Sequence, residues 1–136
     1  MKSRALYLTA ATLTALATPL LPAAPAHAYY SCDFHFNCGL PYLESGAVVV
    51  TGWADCVPTP ESFQLSLTLE FHPRGGSWQV RAADHFTGIP SPRLNAGVYD
   101  LNCTPGLWRG VASMWFTVDN QDRSMVRDTP ETIITC

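Results

Sequence analysis

Apolar and polar residues alternate most regularly between residues 62 and 72, where every second side chain is apolar. Because successive side chains of a strand point to opposite faces, this segment is predicted to be an antiparallel strand with one buried and one solvated face. The glycine-containing turn Pro73-Arg-Gly-Gly76 predicts a hairpin. The apolar set is Phe63, Leu65, Leu67, Leu69 and Phe71, and Trp78, Val80 and Ala82 resume the alternation on the returning strand.

Two further long segments, 46–56 and 107–118, alternate in the same way. Each is predicted to be a strand with one apolar face, and Trp53 and Trp115 fall on the opposite, outer faces. The apolar faces consist of Val48, Val50, Gly52, Ala54 and Cys56 in the first segment and of Trp108, Gly110, Ala112, Met114, Phe116 and Val118 in the second.

Shorter strands are predicted at 98–103 and 131–136. Residues 86–97 contain two prolines and two glycines and are predicted to be irregular, and residues 119–124 are predicted to be a turn. No segment beyond the N-terminal region has a sustained helical period, which indicates an all-β class. Six to seven short strands separated by turns predict an immunoglobulin-like antiparallel β-sandwich, with a small barrel as the alternative.

The first 28 residues have the composition of a secretory signal peptide. A short basic start is followed by an apolar run over residues 5–21 and by small residues that end at Ala28. No later apolar run approaches the ~20 residues that span a bilayer. We therefore expect a secreted, extracellular protein that does not insert into a membrane after the signal is cleaved.

The remaining chain is predicted to comprise an aromatic N-terminal arm, residues 29–45, and one β-sandwich domain, residues 46–136. The mature chain has six arginines, no lysine and eleven acidic residues, a formal charge of −5. This mild acidity argues against nucleic acid or an anionic membrane surface as the partner.

All five cysteines follow the signal peptide, as expected for disulfides in an oxidising compartment. Their spacing does not match a zinc site, and neither a metal nor a cofactor is expected. The alternating directions of the predicted strands bring Cys103 and Cys136 to the same end of the domain, so we expect them to pair. The second bridge is open between Cys32–Cys38 and a pairing of either residue with Cys56.

Three short stretches carry a resemblance to a group of proteins: Cys103-Thr-Pro-Gly-Leu-Trp-Arg109, Gly-Gly-Ser-Trp78 and Gly-Trp-Ala-Asp-Cys56. On the basis of these stretches, the chain resembles small exported β-sandwich proteins of filamentous Gram-positive bacteria, and the resemblance covers roughly residues 46–136. The resemblance implies the fold and an extracellular location. Some such proteins look like adaptor subunits of large antibacterial toxin particles of the umbrella-toxin type, and others resemble enzyme inhibitors.

Catalytic motifs are not found in the sequence, which has no Gly-x-Ser-x-Gly elbow and no local cysteine-protease signature. Asp84 and His85 are adjacent, but neighbouring residues of a strand point to opposite faces and do not form a dyad. His35 and His72 are the other histidines considered. We predict that the protein is not an enzyme.

Aromatic residues of the N-terminal arm are the leading candidates for a binding site, because large amphipathic rings are favoured at interfaces. If residues 29–38 form an ordinary strand, these rings cover a sheet; if Cys32 and Cys38 pair, the segment is a loop that displays them. In the arm hypothesis, deleting residues 29–36 leaves the melting temperature nearly unchanged. The candidate binding residues are Tyr29, Tyr30, Phe34, His35, Phe36 and Tyr42.

These observations predict a non-enzymatic protein-binding module whose partner is another secreted or cell-surface protein. One alternative is a secreted enzyme inhibitor with a braced, exposed loop at Phe34-His-Phe36 or Ile89-Pro-Ser-Pro92. The other is a carbohydrate-binding module, for which four tryptophans supply stacking surfaces.

Overall fold

Residues 31–136, which the computed structural model describes, form nine β-strands and no helix. The strands make two antiparallel sheets, so the predicted all-β class is confirmed, with nine strands where six or seven are predicted. The predicted signal peptide, Tyr29 and Tyr30 lie outside the described residues. The strands are β1 (Ser31–Phe36), β2 (Tyr42–Glu44), β3 (Ala47–Val57), β4 (Ser62–His72), β5 (Gln79–Phe86), β6 (Arg93–Asp100), β7 (Gly106–Val118), β8 (Gln121–Asp128) and β9 (Thr132–Ile134).

The first sheet is organised around β3. Strand β6 pairs with one edge of β3, while β1 and β2 share the other edge, β1 opposite residues 52–57 and β2 opposite residues 47–49. The second sheet has the order β5, β4, β7, and β8 and β9 share the far edge of β7. Both sheets therefore have one edge built from two short strands.

The core lies between the inner faces of the two sheets, and the predicted apolar faces of β3, β4 and β7 all contribute to it. Trp108 is completely buried at 0% exposure, and its ring centroid lies 5.0 Å from that of Phe71. The indole N–H of Trp108 donates to the carbonyl oxygen of Thr104 at 2.9 Å, so burial leaves no polar group of this side chain unpaired. Other core residues are Phe34, Val48, Val50, Leu65, Leu67, Leu69, Ala112 and Met114.

A β-bulge in β5 changes the predicted hairpin. The register of β5 on β4 shifts at Arg81, which has no partner residue on β4. The inserted residue interrupts the predicted alternation of Trp78, Val80 and Ala82, so Val80 is 59% exposed and Ala82 packs against the core. The bulge also brings the guanidinium of Arg81 to 5.4 Å from the ring centroid of Trp108.

Two strands extend into segments that the sequence predicts to be irregular or a turn. Strand β6 begins at Arg93, because Pro90 and Pro92 precede the strand and do not interrupt it. Strand β8 begins at Gln121, because Asp119 and Asn120 alone make the turn after β7. Their φ angles of 51° and 57° are the left-handed values that Asp and Asn tolerate in a two-residue hairpin.

Two ion pairs join the sheets on their two sides. Arg81 of β5 contacts Asp100 of β6 (Nη2–Oδ2, 2.9 Å), and Arg127 of β8 contacts Asp33 of β1 (Nε–Oδ1, 2.7 Å). Asp100 is 8% exposed, and a buried carboxylate requires a compensating charge. Charged side chains at these edges also oppose edge-to-edge pairing with other chains.

The described residues contain two disulfide bonds. Cys103–Cys136 forms as predicted, and the second bridge is Cys32–Cys56, between directly paired residues of β1 and β3. The alternative Cys32–Cys38 does not form, since β1 is an extended strand and Cys38 lies exposed in the turn after it. No helix within residues 31–136 is long and apolar enough to cross a membrane, and the two bridges are consistent with an extracellular protein.

Two segments of the predicted N-terminal arm, 31–36 and 42–44, are strands of the first sheet. Of the two alternatives for this segment, the strand is observed and the loop is not. Cys32 and Phe34 are 0% and 4% exposed, and the ring of Phe34 lies against Gly52 of β3. A Cβ atom at position 52 would overlap this ring, so the absence of a side chain there lets Phe34 pack.

Candidate functional site

The outer face of the first sheet presents aromatic and polar side chains from four strands. In the register of the sheet, Trp53 of β3 lies between His35 of β1 and Asn95 of β6. The next side chains of β3 that point outward are two residues away along the strand. Tyr99 is 61% exposed. We call this surface the aromatic face and define it by Tyr42, His35, Trp53, Arg93 and Tyr99.

Three side chains form a stack at the centre of the aromatic face. The imidazole of His35 lies parallel to the indole of Trp53, with centroids 5.2 Å apart and an interplanar angle of 25°. The guanidinium carbon of Arg93 lies 4.7 Å from the Trp53 ring centroid, a cation–π geometry. His35 and Arg93 come from strands on opposite sides of β3, so the indole holds both side chains in place.

Asp55 continues the stack toward the end of β3. Its Oδ1 lies 3.0 Å from Nε2 of His35, and its register neighbours are Asp33 and Arg93. Asp33 in turn is paired with Arg127. Asp55 and Asp33 therefore each have a partner other than Arg93.

Arg93 differs from the other strand arginines. Arg81, Arg109 and Arg127 each contact a carboxylate within 4 Å, and Arg123 donates a hydrogen bond to Gln121 Oε1 at 3.1 Å. Within residues 31–136, the guanidinium of Arg93 makes no ion pair and no hydrogen bond. A planar guanidinium carries five N–H donors whose fork matches a carboxylate. The sheet therefore presents a positioned cation whose donors face solvent.

A depression adjoins Arg93 where β3 ends and β6 begins. Asp55 and Arg93 form one side of it, and Thr59 and the loop of residues 90–92 form the other. Its volume is about 630 Å3. Pro90 of the loop is fully buried and anchors it. A side chain of a bound molecule can enter this space beside the guanidinium.

The structure divides the predicted arm residues between two faces of the sheet. His35 and Tyr42 lie on the aromatic face, where the hydroxyl of Tyr42 is 3.4 Å from that of Thr51. Phe34 is a core residue and Phe36 packs against the core, with their ring centroids 4.9 Å apart. The prediction of Phe34 and Phe36 as partner contacts is therefore wrong, because alternation along β1 turns both inward.

The histidines give no sign of a nucleophile and base. In the described part of the chain, the one histidine side chain that forms a hydrogen bond is His35, to Asp55, and no hydroxyl or thiol is hydrogen-bonded to an imidazole. Asp84 accepts from the backbone N–H of His85 and not from its ring. Residues 31–136 also contain no cluster of three metal-ligating side chains.

The sequence did not identify Arg93 or Tyr99 as candidate binding residues. It placed Trp53 on the outer face of its strand but gave it no binding role. Residues 93–97 lie in the segment whose prolines predict irregular chain, and Tyr99 lies in the short strand predicted at 98–103, so the prediction divided one alternating strand between two segments. The exposed positions Arg93, Asn95 and Tyr99 do alternate with the buried Ala96 and Val98 in the observed strand.

No protein family, curated protein or solved structure was found to match this chain.

Proposed function

We propose that the protein is a secreted, non-enzymatic protein-binding module whose interface is the aromatic face. Its partner is another secreted or cell-surface protein. This keeps the function expected from the sequence but moves the interface from the N-terminal arm to the outer face of the first sheet. Tyr42 and His35 of the predicted site remain part of the interface.

The position of Arg93 is the observation that carries the proposal. The guanidinium is held 4.7 Å above the Trp53 ring while its donors lack a partner within residues 31–136. A side chain that is ordered before binding loses little conformational entropy when it binds. Arginine, tryptophan and tyrosine are also the residue types that contribute most of the binding energy at protein interfaces.

The chemistry of the face indicates the chemistry of the partner. Arg93 selects a carboxylate, and the neighbouring depression accepts the side chain that carries it. Tyr99, which is 61% exposed, supplies an apolar surface with a hydroxyl group at its edge. We therefore propose a partner protein that presents an acidic side chain surrounded by apolar and aromatic ones.

The narrower form of this proposal is an adaptor subunit of an extracellular antibacterial toxin complex. It is supported by the resemblance to small exported proteins of filamentous Gram-positive bacteria. The immunoglobulin-like topology and the signal peptide belong to the same proposal. Export of the mature chain and a stoichiometric association with a larger secreted protein are its two requirements.

Replacing Arg93 tests the interface. Tagged protein is returned to the culture supernatant of the producing organism, and the size and composition of its complex are measured by native gel and mass spectrometry. Arg93→Ala is expected to weaken the stoichiometric complex by about tenfold or more, because a central arginine contact is lost. Arg93→Lys is expected to restore only part of the affinity, since lysine lacks the planar fork.

The matched control is Arg74→Ala. Arg74 is exposed in the turn after β4 and, within residues 31–136, also has no ion pair, but it lies on the other sheet. The control variant is expected to retain the complex. Equal loss in both variants would indicate nonspecific charge attraction, and retention in both would exclude the aromatic face as the interface.

A second candidate function is inhibition of an extracellular enzyme through the loop Ile89-Pro-Ser-Pro92. The structure leaves Ile89 44% exposed while Pro90 beside it is fully buried, so the loop is anchored next to its exposed side chain. Cys56 of the Cys32–Cys56 bridge lines the same depression as the loop. The other segment predicted to be an inhibitory loop, Phe34-His-Phe36, belongs to strand β1 and is not available for this role.

The inhibitor function predicts that Ile89→Asp abolishes inhibition of a secreted protease. Inhibition constants would be measured against a panel of extracellular serine proteases. Leu101→Asp is the control, because Leu101 is 73% exposed but follows the opposite end of β6. Cleavage of the loop at the rate of a free peptide would contradict this function.

A further inference from the structure

The outer face of the second sheet has a depression centred on Trp115. This side chain is 49% exposed, although Trp108 of the same strand is completely buried. In the register of the sheet, Trp115 lies between Gln64 of β4 and Ser124 of β8, so polar side chains flank the indole on both sides. The volume of the depression, about 660 Å3, is within the range of small-molecule sites.

Three oxygen-bearing side chains form a hydrogen-bonded row along one edge of the depression. Ser62 Oγ donates to Thr117 Oγ1 at 2.8 Å, and Thr117 Oγ1 donates to Asp122 Oδ1 at 2.7 Å. This direction leaves acceptor lone pairs on Ser62 and the second carboxylate oxygen of Asp122. Both ends of the row can accept hydrogen bonds from the hydroxyl groups of a ligand.

The other polar groups of the depression also have spare capacity. Within residues 31–136, the side chains of Gln64, His85 and Ser124 make no hydrogen bond to the protein. The indole N–H of Trp115 makes none either, whereas that of Trp108 is bonded. Donors and acceptors without a hydrogen-bond partner among the described residues therefore line the depression beside an exposed aromatic ring.

The charge of the depression indicates a neutral ligand. Asp122 and Arg123 have opposite formal charges, and a guanidinium nitrogen of Arg123 donates to Gln121 Oε1 at 3.1 Å. The remaining lining side chains that bear donors or acceptors are uncharged or histidine. A strongly anionic or cationic molecule thus finds no excess of opposite charge to compensate its desolvation.

We propose that this depression binds a neutral saccharide. A pyranose ring presents a flat face of C–H groups and a rim of hydroxyl groups, which matches an indole surrounded by donors and acceptors. One sugar unit stacks on Trp115, and its hydroxyl groups bond to Gln64, His85 and the ends of the Ser62–Asp122 row. Sugars with equatorial hydroxyl groups suit the site best, because their C–H faces are unobstructed.

The saccharide site is independent of the aromatic face. The two surfaces lie on different sheets and share no residue. A protein that binds a glycan with one sheet and a protein partner with the other can hold that partner at a polysaccharide surface. The proposed saccharide site and the proposed protein interface are nevertheless tested independently of each other.

Binding is tested by titrating the mature protein with cellohexaose, chitohexaose and maltohexaose in calorimetry and tryptophan fluorescence. Sedimentation with insoluble cellulose and chitin distinguishes a polymer surface from a free oligosaccharide as the source. Oligogalacturonate serves as the anionic comparison. The wild-type protein is expected to bind at least one neutral probe saturably, and Trp115→Ala is expected to weaken this binding by about tenfold or more.

Two variants serve as controls. Val126→Ala removes a side chain that is 57% exposed and does not line the depression, and it is expected to bind like the wild type. Arg93→Ala is expected to do the same, so failure of the proposed protein interface does not affect this result. Unchanged binding by Trp115→Ala, no binding of any neutral probe, or preference for the anionic probe would each overturn the proposal.

Discussion

A chain that lacks residues 29–36 is expected not to fold stably. This reverses the expectation for a detached arm, because β1 is an integral part of the first sheet. The deletion removes the buried Phe34 and Cys32 and leaves Cys56 without its disulfide partner. It also removes the strand that pairs with residues 52–57 of β3.

The magnitude of the loss follows from these contacts. Truncating a buried phenylalanine costs about 3–5 kcal/mol, and removing a native disulfide from a small secreted domain costs about 2–5 kcal/mol. Their sum is comparable to the entire stability of a typical domain, about 5–15 kcal/mol. We expect circular dichroism to show loss of the β-sheet signal and urea unfolding to show no folded baseline.

A matched pair of point variants separates the core from the surface of β1. Phe34→Ala is expected to lower the free energy of unfolding by about 3–5 kcal/mol, whereas His35→Ala on the opposite face costs less than about 1 kcal/mol. Melting of the deletion variant within a few degrees of the parent protein would show instead that β1 is dispensable.

Trp108→Ala is expected to lower the free energy of unfolding by about 3–5 kcal/mol. The side chain is 0% exposed, and its loss leaves a cavity between the sheets beside Phe71. The variant also leaves the carbonyl oxygen of Thr104 without the indole N–H, and it removes the ring that lies 5.4 Å from the guanidinium of Arg81. Arg81 holds Asp100, so the contact between the sheets is weakened as well.

Trp115→Ala is the matched control, because it removes the same side chain from the same strand but from the outer face. It is expected to cost less than about 1 kcal/mol, and chemical denaturation of both variants measures the difference. Similar losses in the two variants would contradict the assignment of Trp108 to the core and Trp115 to the surface. If Trp115→Ala loses little stability, the variant remains folded. Any change in its saccharide binding can then be attributed to the missing side chain.

Alternation predicted the strands best where the pattern was long. The inner faces of β3, β4 and β7 agree with the predicted apolar sets, and Trp53 and Trp115 lie outward as expected. Shorter elements were harder to predict, because a single turn residue or bulge changes the pattern. The inserted Arg81 interrupts the alternation of β5, and Asp119 with Asn120 replaces a longer predicted turn.

The two candidate surfaces required strand pairing, which alternation does not provide. The aromatic face combines His35, Trp53 and Arg93, which lie on three different strands and are brought together by the register of the first sheet. Alternation states which face a side chain occupies, but it does not state which strand is its neighbour. The depression around Trp115 likewise joins β4, β5, β7 and β8.

The sequence alone therefore determined the all-β class, the core faces of the long strands and the Cys103–Cys136 bridge, because these depend on local alternation and on counting strand directions. The tertiary structure decided the partner of Cys32, the burial of Phe34 and the place of Arg93 on Trp53. These features depend on which strands pair and in which register, and that choice is made by the packing of the whole chain.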